Sequence, residues 1–365
     1  MIEVTNTMRL ATDNRLEVHD FRMSEVLAPD FAIDELDLAV VGALQLNPRA
    51  SWADVGRILG IDASTVSRRW TRLADAGAAW VSCQPLFTPV PALAFIEITT
   101  VAGRTLDVAT ELAGDAQAMT IDVAAGARDL LVTAVCMDAY RLSAYLLERV
   151  SRIPDVRSVQ SHIIAGAYAE ASRWRLHSLE SQQEARVRET LPKRPSETTR
   201  HELGERDHAL VAALSRDGRA SLAELAEVIH ASETTARRRL DALIARGHVR
   251  LRCELARDLT GFPVSEWFFV RVPSDRIDAA AKSLATIPEV RAVLSAAGPF
   301  NLLVAVWLRN VADGQRLETQ VMRKLPHVEF VDRSVVIRPF KLVGRMLDAR
   351  GFATGVVPLE LGRSS

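Results

Sequence analysis

Residues 62–73 of the chain read DASTVSRRWTRL, and residues 232–243 read SETTARRRLDAL. In the first stretch Val66, Trp70 and Leu73 recur at the three- and four-residue spacing that places side chains on one face of a helix. The second stretch has apolar residues at the matching positions, Ala236, Leu240 and Leu243. The pattern therefore predicts the same amphipathic helix twice, 170 residues apart.

The faces opposite these apolar stripes carry short hydroxyl side chains followed by arginines. Arginine can pair with guanine through two hydrogen bonds in the major groove, and serine and threonine can reach phosphates or base edges. The alternative is that the arginines only solvate a helix surface. We take the same pattern in both copies as evidence for DNA contact. The predicted contact residues are Ser64, Thr65, Ser67, Arg68, Arg69, Arg72, Thr234, Thr235, Arg237, Arg238, Arg239 and Arg246.

Two shorter helices are predicted before each of these helices. Ser51-Trp-Ala-Asp54 and Ser221-Leu-Ala-Glu224 have the pattern of a capping box at a helix N-terminus. Gly77 and Gly247 are suited to end the third helix, because glycine readily adopts a left-handed backbone. Three helices in this order predict a helix-turn-helix, here expected as winged domains over residues 32–83 and 203–253.

The rest of each copy predicts a small α/β sandwich. Residues 88–168 and 260–342 both show the order βαββαβ, which is typical of a ferredoxin-like fold. The fold class is therefore α+β, with two winged helix-turn-helix domains alternating with two ferredoxin-like sandwich domains. Residues 1–31 are expected as an extension and 343–365 as a tail. Residues 169–202 are expected as a charged, solvated helix and a flexible linker.

A glycine-containing loop joins the two middle strands of each sandwich. These loops read Gly126-Ala-Arg-Asp129 and Gly298-Pro-Phe-Asn301. The spacing fits a ligand loop and also an ordinary hairpin turn. The candidate effector-binding residues are Gly126, Arg128, Asp129, Gly298, Phe300 and Asn301.

Composition limits the function further. The 45 basic and 46 acidic residues give a net charge of −1, so a DNA surface must be local and a DNA-compacting protein is disfavoured. The three cysteines, Cys83, Cys136 and Cys253, are widely spaced, which argues against a disulfide scaffold and fits a reducing cytoplasm. We expect no signal peptide, no membrane span, no metal site and no cofactor.

The chain resembles the Lrp/AsnC family of transcription regulators, duplicated in tandem. The carriers are Asp34-Glu-Leu-Asp37 and Glu205-Arg-Asp207, the two Arg-Ala-Ser segments at 49–51 and 219–221, the arginine pairs at 68–69 and 238–239, and the two loops. The resemblance implies double-stranded DNA as partner, dimerisation through the sandwich, or RAM, domains and a small effector such as an amino acid. It places Gly126 and Asp129 in the effector loop, and the second copy departs with Asn301.

Duplication implies an intramolecular pseudo-dimer with two unequal DNA-reading helices. Such units can also associate into homo-oligomers. The main alternative is an enzyme, because siroheme decarboxylases resemble this family and use paired domains on a tetrapyrrole. That alternative implies histidines and arginines at work in the sandwich domains, where the only histidines in the sequence are His162 and His327. We therefore predict a regulator and no enzymatic activity.

Overall fold

The computed structural model describes residues 31–85, 92–169, 174–192 and 203–359, and all elements below belong to the unit Glu35–Ser365. The predicted extension lies outside these ranges except for residue 31. Three helices and a strand open the first half: α1 Glu35–Leu46, α2 Trp52–Leu59, α3 Ala63–Asp75 and β1 Ala79–Pro85. The side chain of Ser51 accepts a hydrogen bond from the Asp54 N–H, as the capping box predicts. Gly60 and Gly77 have φ of 73° and 66°, as helix-ending glycines should.

The first sandwich domain has the predicted order. Its strands and helices are β2 Ala92–Thr100, α4 Thr105–Ala113, β3 Ala118–Ala125, β4 Leu130–Cys136, α5 Ala139–Ala144 and β5 Val156–Ala169. A π-helical segment, Tyr145–Arg149, and a 3₁₀ turn, Val150–Arg152, continue α5. Apolar side chains of the two helices pack on one face of the sheet and form the domain core.

The segment between the copies contains a charged, mostly solvated helix, but it is also fixed by contacts to α1. Its helix, α6 Ser181–Glu189, is short, and Val187 within it is fully buried. The chain before it is bound to α1, since Ser178 Oγ donates to the Leu38 carbonyl and the Leu176 N–H donates to the Gln45 side chain. Tertiary packing therefore fixes this segment. The predicted flexible part at residues 193–200 lies outside the described residues.

The second half repeats the plan. Its elements are α7 Glu205–Arg216, α8 Leu222–Val228, α9 Glu233–Ala245, β6 Val249–Leu255, β7 Val264–Arg271, α10 Ile277–Leu284, β8 Val290–Ala296, β9 Leu302–Leu308, α11 Val311–Lys324 and β10 Glu329–Leu342. The predicted tail instead adds two strands, β11 Arg345–Leu347 and β12 Ala353–Val356, next to β10. Ala353 also donates its N–H to the Gly77 carbonyl at 2.8 Å, which ties the tail to the first helix-turn-helix.

The two sandwich sheets join at both edges. Each has the ferredoxin-like strand order, β3-β4-β2-β5 and β8-β9-β7-β10. β5 pairs with β8, and β10 pairs with β3, all antiparallel. Eight strands thus close into a barrel whose interior is packed by an aromatic cluster that includes Phe95, Trp267, Phe269 and Phe300. The helices cover the outside, so the two units cover each other's open sheet face.

The strand after each third helix corrects the expectation of separate wings. β1 does not fold back on its own helices but pairs with β6 of the other half, from Ala79 opposite Leu255 to Pro85 opposite Val249. One strand from each half thus makes a shared two-stranded ribbon. A lone strand leaves its backbone groups unpaired, and its counterpart in the other copy satisfies them.

Candidate nucleic-acid interface and the joint between the sheet domains

The outer faces of α3 and α9 divide the predicted DNA-contact residues into two groups. Exposed side chains are Ser64, Arg68, Arg72, Thr234, Arg237, Arg238 and Arg246. Half-buried ones are Thr65, Ser67, Arg69, Thr235 and Arg239. The exposed group combines hydroxyls near the helix N-terminus with arginines farther along, an arrangement that suits entry into a major groove.

Three of the predicted arginines hold their own domain together. Arg69 and Arg72 donate to the buried carboxylate of Asp37 at 2.8 and 2.5 Å. Arg239 donates to the buried carboxylate of Asp207 at 2.8 Å. Each contact ties the third helix to the first turn of the first helix. A buried carboxylate needs such partners, because removing its charge from water costs several kcal/mol. Breaking a buried ion pair by removing one partner destabilises a protein by about 3–5 kcal/mol.

A reciprocal pair of arginines joins the two helix-turn-helix domains. Arg49 donates to the carbonyls of Gly218 and Ala220, both at 2.8 Å. Arg219 donates to the carbonyls of Pro48 and Ala50 at 2.6 and 3.2 Å. The Arg-Ala-Ser segments marked the repeat in the sequence, but their role between the copies was missed. The shared spacing was the only signal that could have indicated it.

The contact of Arg219 is the stronger of the two because aromatic rings surround it. Its guanidinium lies 3.8 Å from the ring centre of Trp52 and 5.9 Å from that of Trp70. Burial lowers its pKa to about 10, so the rings and carbonyls replace part of its lost hydration. The joint between the two helix-turn-helix domains therefore combines the two arginines, the Trp52 and Trp70 rings and the β1–β6 ribbon.

In the loops of the sandwich domains, Asp129 and Asn301 are used structurally. The Asp129 carboxylate accepts from the Thr100 backbone N–H at 2.7 Å. The Asn301 side chain accepts from the Val272 N–H at 2.9 Å and donates to the Val272 carbonyl at 2.7 Å. Both residues thus bind the end of the first strand of their own sheet. A carboxylate oxygen and an amide oxygen can both accept from this backbone N–H, so the departure in the second copy keeps that contact, and the amide adds the bond to the carbonyl.

The loop residue Arg128 points into the barrel. It is buried and forms ion pairs with Glu97 and, at 2.6 Å, with Asp332. It also donates to Ser334 at 2.7 Å, and its guanidinium lies 4.2 Å from the Phe269 ring centre. Since Asp332, Ser334 and Phe269 belong to the other half, Arg128 is part of the joint between the sheets.

Phe300 occupies the matching position of the second loop. Its ring lies 4.5 Å from the His162 ring and 4.9 Å from the Phe269 ring, and it is buried. His162 in turn bonds the Glu97 carboxylate at 2.7 Å. Gly126 has a φ of 117°, and a Cβ at Gly298 would lie 3.1 Å from the His162 ring, so both glycines permit tight turns. The predicted effector loops are thus packed between the halves.

Metal clusters, membrane-spanning helices and disulfide bonds are absent from the described residues. No group of three or more His, Cys, Asp or Glu side chains there could hold a metal ion. None of the helices in the described ranges is long and apolar enough to cross a membrane. Cys83, Cys136 and Cys253 are buried and unbridged.

Comparisons with known proteins agree with this organisation. Residues 33–74 and 205–244 match the AsnC-type helix-turn-helix domain, and residues 93–174 and 268–346 match the Lrp/AsnC ligand binding domain. An uncharacterized HTH-type transcriptional regulator of Pyrococcus abyssi is 28% identical over 137 residues, 36% of this chain and 85% of that protein. The HTH-type transcriptional regulator FL11 of the same organism is 24% identical over 144 residues, 39% of this chain and 95% of that protein.

A solved structure resembles the whole chain. The siroheme decarboxylase NirDL superposes with a TM-score of 0.56 at 12% identity, over 87% of this chain and 94% of that one. At this identity the likeness concerns the fold alone. The domain matches lie in both halves and extend over the three helices of each helix-turn-helix domain, to within one residue of the end of the third. The chain therefore belongs to the Lrp/AsnC family of HTH-type transcriptional regulators, with both of the family's domains present twice in one polypeptide.

Proposed function

We propose that the chain is a sequence-specific, double-stranded DNA-binding regulator whose two reading helices contact two unequal half-sites. A small organic effector bound among the sheet domains biases its affinity for the operator. The regulator acts in the cytoplasm and has no enzymatic activity. Its unit is an intramolecular pseudo-dimer, which further copies can extend.

One observation carries the DNA-binding part. α3 and α9 both present exposed hydroxyls and arginines, and the β1–β6 ribbon and the Arg49 and Arg219 contacts hold the two heads together. A fixed relation between two heads is what recognition of two half-sites requires. One covalent chain supplies it at any protein concentration.

The heads differ where they would meet bases. The half-buried Ser67 of α3 corresponds to the exposed Arg237 of α9. Since arginine favours guanine and serine contacts either phosphate or base, the two half-sites should differ in sequence.

The test is footprinting on fragments selected from genomic DNA, with Arg68→Ala and Arg238→Ala as single variants. Each should weaken protection at its own half-site, with a loss of about tenfold in affinity, or about 1–3 kcal/mol per specific contact. Arg316→Ala, an exposed arginine on α11, is the control and should bind like the parent. Equal losses at both half-sites would argue against separate reading. The proposal would be overturned if mobility-shift assays showed no complex with any of the fragments.

The enzymatic alternative has its own test. A siroheme decarboxylase should bind tetrapyrrole, so iron-uroporphyrin added to the pure protein should shift its absorption. For a regulator we expect no shift and no release of CO₂ from siroheme. A tight coloured complex that turns over would replace the proposed function.

A further inference from the structure

A cavity of about 400 Å³ lies between the reading heads and the barrel. On one side it is bounded by the β1–β6 ribbon, including Trp80 and Leu255. The other walls come from the barrel strands, with Trp267 and Ala305 of the interior cluster among them, and from the tail that follows β10. The cavity therefore contacts all three parts that a regulatory ligand could couple.

The walls suit a flat apolar body. Trp80, Trp267 and Trp307 line the cavity and are almost fully buried. Aliphatic side chains of Leu93, Met119 and other residues complete the lining. Pockets of this type bury most of a small ligand and take their specificity from a few polar groups.

Those polar groups are mainly cationic. Arg252, Arg257 and Arg291 line the cavity together with one carboxylate, Asp122. Behind them Glu254 forms ion pairs with Arg252 and, at 2.6 Å, with Arg291. Among these groups the guanidinium charges outnumber the carboxylates. Burial lowers the pKa of Arg291 to about 9 and raises that of Asp122 to about 6, the directions that loss of hydration gives to a cation and to an acid.

Arg291 is held in place before any ligand arrives. Its guanidinium lies 3.7 Å from the Trp307 ring centre and 5.4 Å from that of Trp174. The indole N–H of the buried Trp80 has no acceptor among the described residues, so a hydrogen-bond donor is also present in the lining. A rigid guanidinium beside aromatic rings is well suited to a planar carboxylate, since little conformational entropy is lost on binding.

The cationic cluster occurs only once in the duplicated fold. The residues related by the repeat to Arg252, Glu254 and Arg291 are Ser82, Gln84 and Met119, respectively. The first half forms the same strands without these charges. The fold does not require the cluster, and burying it is costly, which points to a ligand.

We propose that this cavity binds an aromatic carboxylate, with the carboxylate on Arg291 and Arg252 and the ring system among Trp80, Trp267 and Trp307. The proposal deepens the effector part of the proposed function. It moves the effector site away from the loop residues, which the joint between the sheets already uses. Binding of the carboxylate to this cavity does not require DNA, so it can be measured on the protein alone.

The experiment is calorimetric titration of the full chain, without DNA, using 2-naphthoate and its neutral analogue 2-naphthalenemethanol. We expect one site per chain for 2-naphthoate and at least tenfold weaker binding of the alcohol. Arg291→Gln should weaken 2-naphthoate binding at least tenfold and leave binding of the alcohol nearly unchanged. Arg316→Gln, which changes an exposed arginine on α11 that does not line the cavity, is the matched control and should bind like the parent.

If Arg291→Gln fails to fold, Ala305→Phe, which fills the cavity from its wall, should abolish binding while the comparison of acid and alcohol on the parent still reports the charge. Absence of binding, equal binding of acid and alcohol, or an equal loss in Arg316→Gln would each overturn the proposal. If the titration shows no binding but the footprints are still observed, the protein is a DNA-binding regulator without this ligand site. Binding here with no footprint would instead overturn the DNA-binding part.

Discussion

At the residue scale, neighbouring arginines on one helix have different tasks. Arg68 is exposed, whereas Arg69 pairs with the buried Asp37. The sequence shows both as outward-facing cations, because helical periodicity assigns an angle but not a partner. The contact to α1 is a tertiary feature, so only the structure separates a residue that can read DNA from one that supports the domain.

This difference predicts opposite effects of two matched substitutions. Arg69→Met should lower the free energy of unfolding by about 1.5–3 kcal/mol, the usual contribution of a hydrogen bond to a charged group, because Asp37 keeps Arg72 as its other partner. Arg68→Met should change it by less than about 0.5 kcal/mol, as for surface substitutions in general. Urea denaturation followed by circular dichroism measures both. Equal destabilisation by the two variants would contradict the assignment.

Lys341 is a buried cation with an unusual titration. It is fully buried, and its Nζ donates to the carbonyls of Ala113 and Asp115 at 2.9 and 2.8 Å. Burial lowers its pKa from 10.5 to about 7. Above pH 7 the unfolded chain therefore holds a proton that the folded chain has released. By linkage the free energy of unfolding should rise with pH in this range.

The rise should not exceed about 1.4 kcal/mol per pH unit, which corresponds to one proton. Lys341→Met removes the titrating group, so its unfolding free energy should depend less steeply on pH between 7 and 9. The measurement is urea denaturation of both proteins at pH 7, 8 and 9. Parallel pH profiles for parent and variant would show that Lys341 keeps an ordinary pKa.

At the element scale, the helices were predicted well and the ends of two strands were not. The order βαββαβ in each sandwich domain agrees with the apolar pattern. β5 and β10 are 14 residues long and continue to Ala169 and Leu342, whereas the other strands of the sandwich domains have 7 to 9 residues. The additional residues pair with β8 and β3 of the other half. The pattern of a single unit carries no signal for pairing with a distant one.

The joint between the helix-turn-helix domains gives a prediction at this scale. Arg219→Met loses two hydrogen bonds to carbonyls and the contact with Trp52, and should cost about 2–4 kcal/mol. Arg57→Met, which removes only an exposed ion pair with Asp54, is the control and should cost less than about 1 kcal/mol. Thermal unfolding measures the loss. Faster amide exchange across the β1–β6 ribbon in Arg219→Met would locate it at the joint.

At the scale of the whole molecule, three strand pairings cross between the halves: β1 with β6, β5 with β8, and β10 with β3. Each half alone would expose unpaired edges, which promote association. The internal repeat predicts two similar halves. That they close one barrel follows from hydrogen bonding between strands more than a hundred residues apart.

A divided chain tests this arrangement. Residues 1–196 and 197–365, produced together as separate chains, should co-purify as a 1:1 complex with the circular dichroism of the intact protein. Each half produced alone should aggregate or form homodimers through the same edges. Size-exclusion chromatography with light scattering distinguishes these states. Two stable monomeric halves that ignore each other would contradict the shared barrel.

The sequence was sufficient to predict the duplication, the three-helix domains and the βαββαβ order, because these depend on local periodicity, capping residues and glycine positions. It also indicated which face of the third helix in each helix-turn-helix domain points outward. The tertiary structure alone decided that the strands after the heads pair with each other, that the two sheets close a barrel, and that the loop residues Arg128 and Phe300 pack inside it. It also assembled the arginines and tryptophans of the cavity. Those contacts join residues far apart in the chain, and their energy depends on burial and on partners that no local pattern specifies.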